Sequence, residues 1–403
     1  MRSLGVYIHI PFCVKKCAYC DFLSKPATRQ RQQEYMDALR REIQYESVRY
    51  VDYSVKSVFF GGGTPSILEA SDIARVLDCL RQHYTFDKDV EITLEMNPGT
   101  ADKDKLVCLK KAGINRLSIG LQSTNNIELK LLGRIHTYED FLQTYYLARD
   151  AGFANINIDL MSALPGQAME SWLRTLERVT ALCPEHISAY SLIIEEGTRL
   201  CDRLEEYPPV PDEDADRMMY QMTKQVLAQK GYQRYEISNY AKKGYACRHN
   251  TIYWQRGIDH IVNYVGFGLG ASSLFGNVRW KNTGNMEEYL RVFAEYGQEG
   301  AEKMPDEKKC PHESVKQDME KLSKKDWMEE FMFLGLRLMQ GVSKQEFARS
   351  FGIGMDAVYG ETLHRWAEQG MLAEEGDVVR LTDAGIDVSN VVLADFLLDD
   401  AIV

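Results

Sequence analysis

Cys13, Cys17 and Cys20 stand in the run CVKKCAYC, a CxxxCxxC spacing that puts three thiolates on one short loop. Thiolates this close in sequence can each take one iron of a cubane cluster and leave the fourth iron open. Zinc is the competing occupant, but a structural zinc wants four ligands in closed tetrahedral geometry. No fourth Cys or His follows, since Asp21 and Phe22 come next, and His9 lies before the loop in a predicted strand. The spacing therefore favours a cluster with one coordination position to spare.

Other residues could serve a ligand beside such a cluster. In GGGTPS, glycines let backbone amides approach a ligand closely, although a tight strand-to-helix turn explains them equally well. Glu95, Gln122, Arg134 and Asp159 fall at or just beyond predicted strand ends. There the carboxylates can accept from hydroxyls or an amino group and Arg134 can pair with a carboxylate, the plain alternative being surface ion pairs. Further on, CRHNTIYW groups Cys247, His249, Asn250, Tyr253 and Trp254. A neutral imidazole binds haem iron well, and Tyr253 and Trp254 could pack on a macrocycle. His249 could equally be a satisfied core residue, and Cys247 either a thiolate ligand or a buried structural thiol.

These residues need a frame that brings distant segments together. Up to about Leu192, short β-branched or aromatic runs alternate with amphipathic stretches about six times, the pattern of βα units on a parallel sheet. Predicted strands are Val6–Ile10, Ser57–Phe60, Glu91–Leu94, Arg116–Ile119, Asn155–Leu160 and Ile187–Leu192. Helices are expected at Gln30–Glu46, Ser71–His83 and Tyr138–Asp150. In (β/α) barrels the residues just past the strand C-termini line the site, so the cysteine loop, GGGTPS, EMNPGT, GLQS and MSALPGQ should converge. The fold class is α/β: a partial (β/α)6 TIM-like barrel over residues 1–200, an α+β extension over 201–297 and a charged linker over 298–325. A small winged-helix-like domain with a hairpin at Gly370–Leu381 occupies 326–403. Glu195–Asp216 reads as a connector, with a helix near Asp216–Lys230 and an irregular, aromatic-rich region up to about Trp280.

The bulk numbers narrow the partners. With 45% hydrophobic and 27% charged residues and no apolar run long enough for a bilayer, an integral membrane segment is not expected. MRSLGVYIHIPFC is too short an apolar stretch for a signal peptide, so the expected location is cytoplasmic, with the nine cysteines kept as thiols. The net charge of −11 speaks against broad nucleic-acid binding. From Gly341 to Val403, four Lys and Arg face twelve Asp and Glu, a local charge of −8 and the wrong sign for reading phosphates.

CVKKCAYC resembles the radical S-adenosylmethionine family, in which the open iron chelates the amino and carboxylate groups of the cofactor and the reduced 4Fe-4S cluster splits it to a 5′-deoxyadenosyl radical. YIHIPFC, GGGTPS, ExNP, RLSIGLQS, LGRIHT, NIDLM, LPGQ and HISAYSL narrow the resemblance to the oxygen-independent coproporphyrinogen III dehydrogenase group. It implies S-adenosylmethionine contacts at Tyr7, Tyr19, Gly62, Gly63, Thr64, Glu95, Gln122, Arg134 and Asp159; a second S-adenosylmethionine is a feature open to that group. The dehydrogenases show CxxxCxxCxC, whereas this chain has Phe22 at the last position, and its HNxxYW run is similar to the HemW-type haem chaperone branch. That resemblance implies haem as a further ligand with His249 as its candidate axial residue. It also implies a haem-accepting protein and an electron donor such as a flavodoxin or ferredoxin. The competing expectations are oxidative decarboxylation of coproporphyrinogen III to protoporphyrinogen IX and, against the local charge, modification of tRNA.

Overall fold

A computed structural model describes residues 1–260, 262–295 and 314–399. Six parallel strands, β1 (Arg2–Ile10), β2 (Tyr53–Gly62), β3 (Thr85–Met96), β4 (Arg116–Gln122), β5 (Ile156–Ser162) and β6 (His186–Ser191), lie side by side in sequence order. Helices at Arg29–Glu46, Ala70–His83, Lys103–Ala112, Tyr138–Asp150 and Met169–Ala181 lie between them in sequence. Side chains alternate across each strand. One row, including Val6, Ile8, Leu117, Ile119, Ile158 and Leu160, is wholly buried in the main hydrophobic core. The other row is polar: Glu95, Arg116, Ser118, Asn157, Asp159 and Ser188 line a cavity. A sheet face that gathers so many polar groups away from bulk water is shaped for a ligand rather than for packing.

The sheet continues past both ends of this half-barrel. Beside β6 run β7 (Gln233–Arg234) and β8 (Asn239–Ala241). Beside β1 run β9 (Tyr264–Phe267), β10 (Ser272–Phe275), β11 (Val278–Asn282) and β12 (Lys316–Lys321), giving the order β12-β11-β10-β9-β1-β2-β3-β4-β5-β6-β8-β7. Two expectations are corrected here. The stretch up to Trp280, read as irregular, contains β9, β10 and most of β11; these strands are four or five residues long and interrupted by Gly266, Gly268 and Gly270, which hides the alternation. The charged stretch read as a solvated linker ends in β12, whose mostly exposed charged residues form the sheet margin, where charge discourages further pairing. Residues 298–313 of that stretch lie outside the described residues.

The C-terminal unit has its own core, with Phe331, Phe347, Tyr359, Leu363 and Phe396. Helices Lys324–Gly335, Lys344–Phe351 and Met355–Glu368 pack with a small sheet of β13 (Val342–Ser343), β14 (Leu372–Glu375) and β15 (Val378–Leu381), ordered β13-β15-β14. This is the winged-helix-like arrangement expected. It is tied to the rest by Glu330, which accepts from the buried Arg256 at 2.7 Å and pairs with Arg279, and by Arg337 lying 4.6 Å over the Trp254 ring. Among the described residues no helix is long and apolar enough to cross a membrane.

Candidate functional site

The cysteine loop leaves the C-terminal end of β1 and is braced on several sides. Lys25 N–H donates to Pro11 O (3.0 Å), Ala18 N–H to Leu132 O (2.9 Å), and Leu200 N–H to Ala18 O (2.8 Å). Cys13 is buried while Cys17 and Cys20 are half-buried, and burial raises the Cys20 thiol above its ordinary value. Among the described residues no three Cys, His, Asp or Glu side chains converge on a point as a single ion requires. A cubane cluster takes one thiolate per iron and so asks for wider spacing.

Three further strand ends meet this loop. Gly63 N–H donates to Ile10 O (2.8 Å) and Thr64 N–H to Phe12 O (2.7 Å), so the glycine loop lies directly along the chain that enters the cysteines. A Cβ at Gly63 would sit 2.5 Å from Phe12 O, and Gly62, at φ +107°, would press one into the His9 ring. The glycines thus answer a close approach of chain to chain. Gly62 N–H in turn donates to Glu95 at 3.2 Å. Burial, then the charge of Asp159, pushes the Glu95 carboxyl up to about 8, against the opposing Gly62 N–H and Arg116. Asp159 is itself raised by burial and accepts from Ser118 (3.0 Å) and Asn157 (2.7 Å).

Arg134 donates to Asn97 Oδ1 (2.8 Å) and to the Gly120 carbonyl, and its Nη1 lies 3.6 Å from Cys17 Sγ. Asn97 also donates to Thr64 Oγ1 at 2.8 Å, so one amide connects the glycine loop to the arginine beside the cysteines. Asn97 is the asparagine of ExNP, not singled out from sequence because its motif drew attention to Glu95 alone. Gln122 sits beside Arg134 at the end of β4 with φ 72°, a left-handed conformation that costs a non-glycine residue about 1–3 kcal/mol and gathers at ligand sites. Tyr19 feels the charges of Arg134, Cys17, Cys20 and Asp159. Tyr7 hydrogen-bonds His9 Nδ1 at 3.0 Å, and burial raises its hydroxyl far above the ordinary value.

Two cavities open from these groups. The inner one, about 180 Å³, is lined by Tyr7, Glu95, Asp159, Tyr190, Arg116, His249, Asn250 and Tyr253 among others. A wider cleft of about 500 Å³ shares Tyr7, Glu95 and Tyr253 with it and adds His9, Gly62, Phe22, Leu23, Tyr264, Gly270 and Ser272. Phe22 is 62% exposed and Leu23 42%, so this rim presents apolar groups to solvent.

The HNxxYW run forms the helix Arg248–Trp254, which divides its residues between two sides. His249 is buried, its Nδ1 bonded to Ser57 Oγ and its Nε2 to Tyr253 Oη, both at 2.9 Å, and it stacks on Phe59. Burial, with Arg116 nearby, lowers its pKa to about 3, so it is a neutral imidazole with both nitrogens engaged. Trp254 lines a separate pocket with Phe331, Leu338 and Val342, against the C-terminal unit, so it does not share a face with His249 and Tyr253. Cys247 is fully buried near Glu91, and burial pushes its thiol up to about 12, the surroundings of a buried structural thiol. Arg116, at an inward position of β4, was also missed from sequence; the signal was an arginine opening an otherwise uncharged strand, RLSIGLQ.

The radical SAM superfamily matches residues 7–179, and the HemN C-terminal domain matches residues 322–388. Heme chaperone HemW of Lactococcus lactis is 35% identical over 397 residues, covering 98% of each chain. Heme chaperone HemW of Bacillus subtilis is 34% identical over 395 residues, covering 98% of this chain and 99% of its own. In structure, coproporphyrinogen III oxidase (HemN) from Escherichia coli aligns with a TM-score of 0.82 at 24% identity, over 98% of this chain and 90% of that one, which shows the shared fold. From its cysteine loop to its C-terminal unit, the chain belongs to the heme chaperone HemW family of the radical SAM superfamily.

Proposed function

We propose that this protein holds a 4Fe-4S cluster on Cys13, Cys17 and Cys20, binds S-adenosylmethionine beside it, and carries haem to an acceptor protein. Tyr7, Tyr19, Gly62, Gly63, Thr64, Glu95, Gln122, Arg134 and Asp159 are the cofactor contacts in this reading. The residues fit such an occupant: Arg134 Nε is buried without a partner beside Cys17, and Gln122 is held in a costly conformation at the same strand end. Held by these three cysteines, a reduced cluster would be the source of the electron for cleavage of the sulfonium. This chain's part is to orient: Glu95 and Asp159 accept from hydroxyl or amino donors, and Arg134 fixes the position of the Cys17 arm. The electron donor, such as a flavodoxin or ferredoxin, and the haem acceptor complete the proposal.

The observation that carries the haem reading is the wide cleft beside the cluster loop, walled by Phe22 and Leu23 on one side and by Tyr253 and Tyr264 on the other. Phe22 stands where the dehydrogenase pattern has a cysteine, and here it widens the apolar rim. His249 lines the inner cavity behind Tyr253, so it would serve as a haem ligand only if Tyr253 released its Nε2 and moved aside to open it to the cleft. In the test, anaerobically reconstituted protein is titrated with haemin and the same sample is assayed with coproporphyrinogen III. Saturation near one haemin per chain, with no protoporphyrinogen formed, is expected. Absence of saturable binding, or turnover to protoporphyrinogen, overturns the reading.

A further inference from the structure

Arg116 is 1% exposed and lines the inner cavity, yet its Nε has no hydrogen-bond partner, and among the described residues no carboxylate pairs with it within 4 Å. Burial works against this charge, and the negative groups that offset it act from a distance, leaving Nε free to donate to a ligand. The three carboxylates that interact with it at a distance are committed elsewhere, Glu95 accepting from Gly62 N–H at 3.2 Å. Asp159 accepts from Ser118 and Asn157, and Glu91 accepts from the backbone N–H groups of Arg248 (3.3 Å) and His249 (3.2 Å). The cavity is too small for a macrocycle but has room for a carboxylate arm, and it shares Tyr7, Glu95 and Tyr253 with the wider cleft.

We propose that Arg116 is the receptor for a ligand carboxylate, which resting on the haem reading is a propionate of the tetrapyrrole. The macrocycle lies in the wide cleft and one propionate passes Tyr7 and Tyr253 to Arg116 on the cavity floor. Guanidinium and carboxylate match as a planar two-bond pair, and a charge-assisted contact in a dry site dominates the orientation of a ligand that is otherwise flat and apolar. Arg116 acts here by binding and takes no part in bond breaking.

The test compares haemin with haemin dimethyl ester, in which both propionates are capped, on the reconstituted full chain and on Arg116→Met and Arg116→Lys. Wild type is expected to bind haemin at least about tenfold more tightly than the ester, the worth of one charge-assisted contact. Arg116→Met should bind the two alike, Arg116→Lys should keep part of the difference, and S-adenosylmethionine affinity by equilibrium dialysis should stay within about twofold. Equal affinity of wild type for both probes overturns the proposal, as does retained discrimination in Arg116→Met. Loss of S-adenosylmethionine binding with discrimination intact assigns the arginine to the methionine carboxylate and also overturns it. If neither probe saturates wild type, the haem reading itself fails. Should Arg116→Met not fold, the wild-type comparison and Arg116→Lys decide.

Discussion

Gly62 and Gly63 stand next to each other but are required for different reasons, one for its left-handed φ and one for the Phe12 carbonyl 2.5 Å from where a Cβ would lie. Gly63→Ala must push the glycine loop off the cysteine arm, at about 1–3 kcal/mol. Its iron and sulfide content after reconstitution should fall below wild type, and a normal content would count against the docking described above. Tyr253→Phe removes the hydroxyl that occupies His249 Nε2, so haemin titration should show tighter binding than wild type, whereas His249→Ala should weaken it. For Glu95 the sign follows from a carboxyl raised to about 8: the folded chain holds the proton more tightly than the unfolded chain. That stability is present below the ordinary carboxylate range and is lost as pH rises through 8. Thermal melts of cluster-free Glu95→Gln should therefore match wild type near pH 4 and exceed it by a margin that grows as pH rises to 8 and then levels off.

At the scale of elements, the helix Arg248–Trp254 shows how a motif is held in place. Glu91 on β3 sits at its N-terminus and accepts from the first two N–H groups, so a carboxylate meets the positive end of the helix. Glu91→Gln should cost about 1 kcal/mol and raise amide exchange in residues 248–254 more than in the barrel strands. Uniform exchange across the molecule would show that the helix does not depend on this contact. The barrel strands were legible in the sequence because their apolar runs are followed by unmistakable loops; β1 to β6 overlap the expected spans, β1 and β4 extended at one end, β2 and β3 at both, and β5 and β6 displaced by one or two residues. The tyrosine and cysteine of CRHNTIYW were legible as types, but their facing was not. A seven-residue helix makes under two turns, and whether Trp254 meets the ligand or the C-terminal unit depends on Arg337 and Phe331, some eighty residues away. Asn97 and Arg116 escaped for the same reason, since both are defined by what crosses to them from other strands.

At the scale of the molecule, Glu330 is the pin between barrel and C-terminal unit, a buried carboxylate shared by Arg256 and Arg279. Glu330→Ala strands the buried Arg256 and should cost about 3–5 kcal/mol. Calorimetry should then show the C-terminal unit melting ahead of the barrel; a single unshifted transition would mean that the pin carries no load. The continuous sheet also bears on synthesis. β1 pairs with β2 on one side but with β9 on the other, Gly5 lying opposite Tyr264. One flank of the first strand therefore stays bare until more than 260 residues have left the ribosome. The cysteine loop hangs from that same strand, so the mouth proposed for a cluster is shaped last although its three thiols are made first.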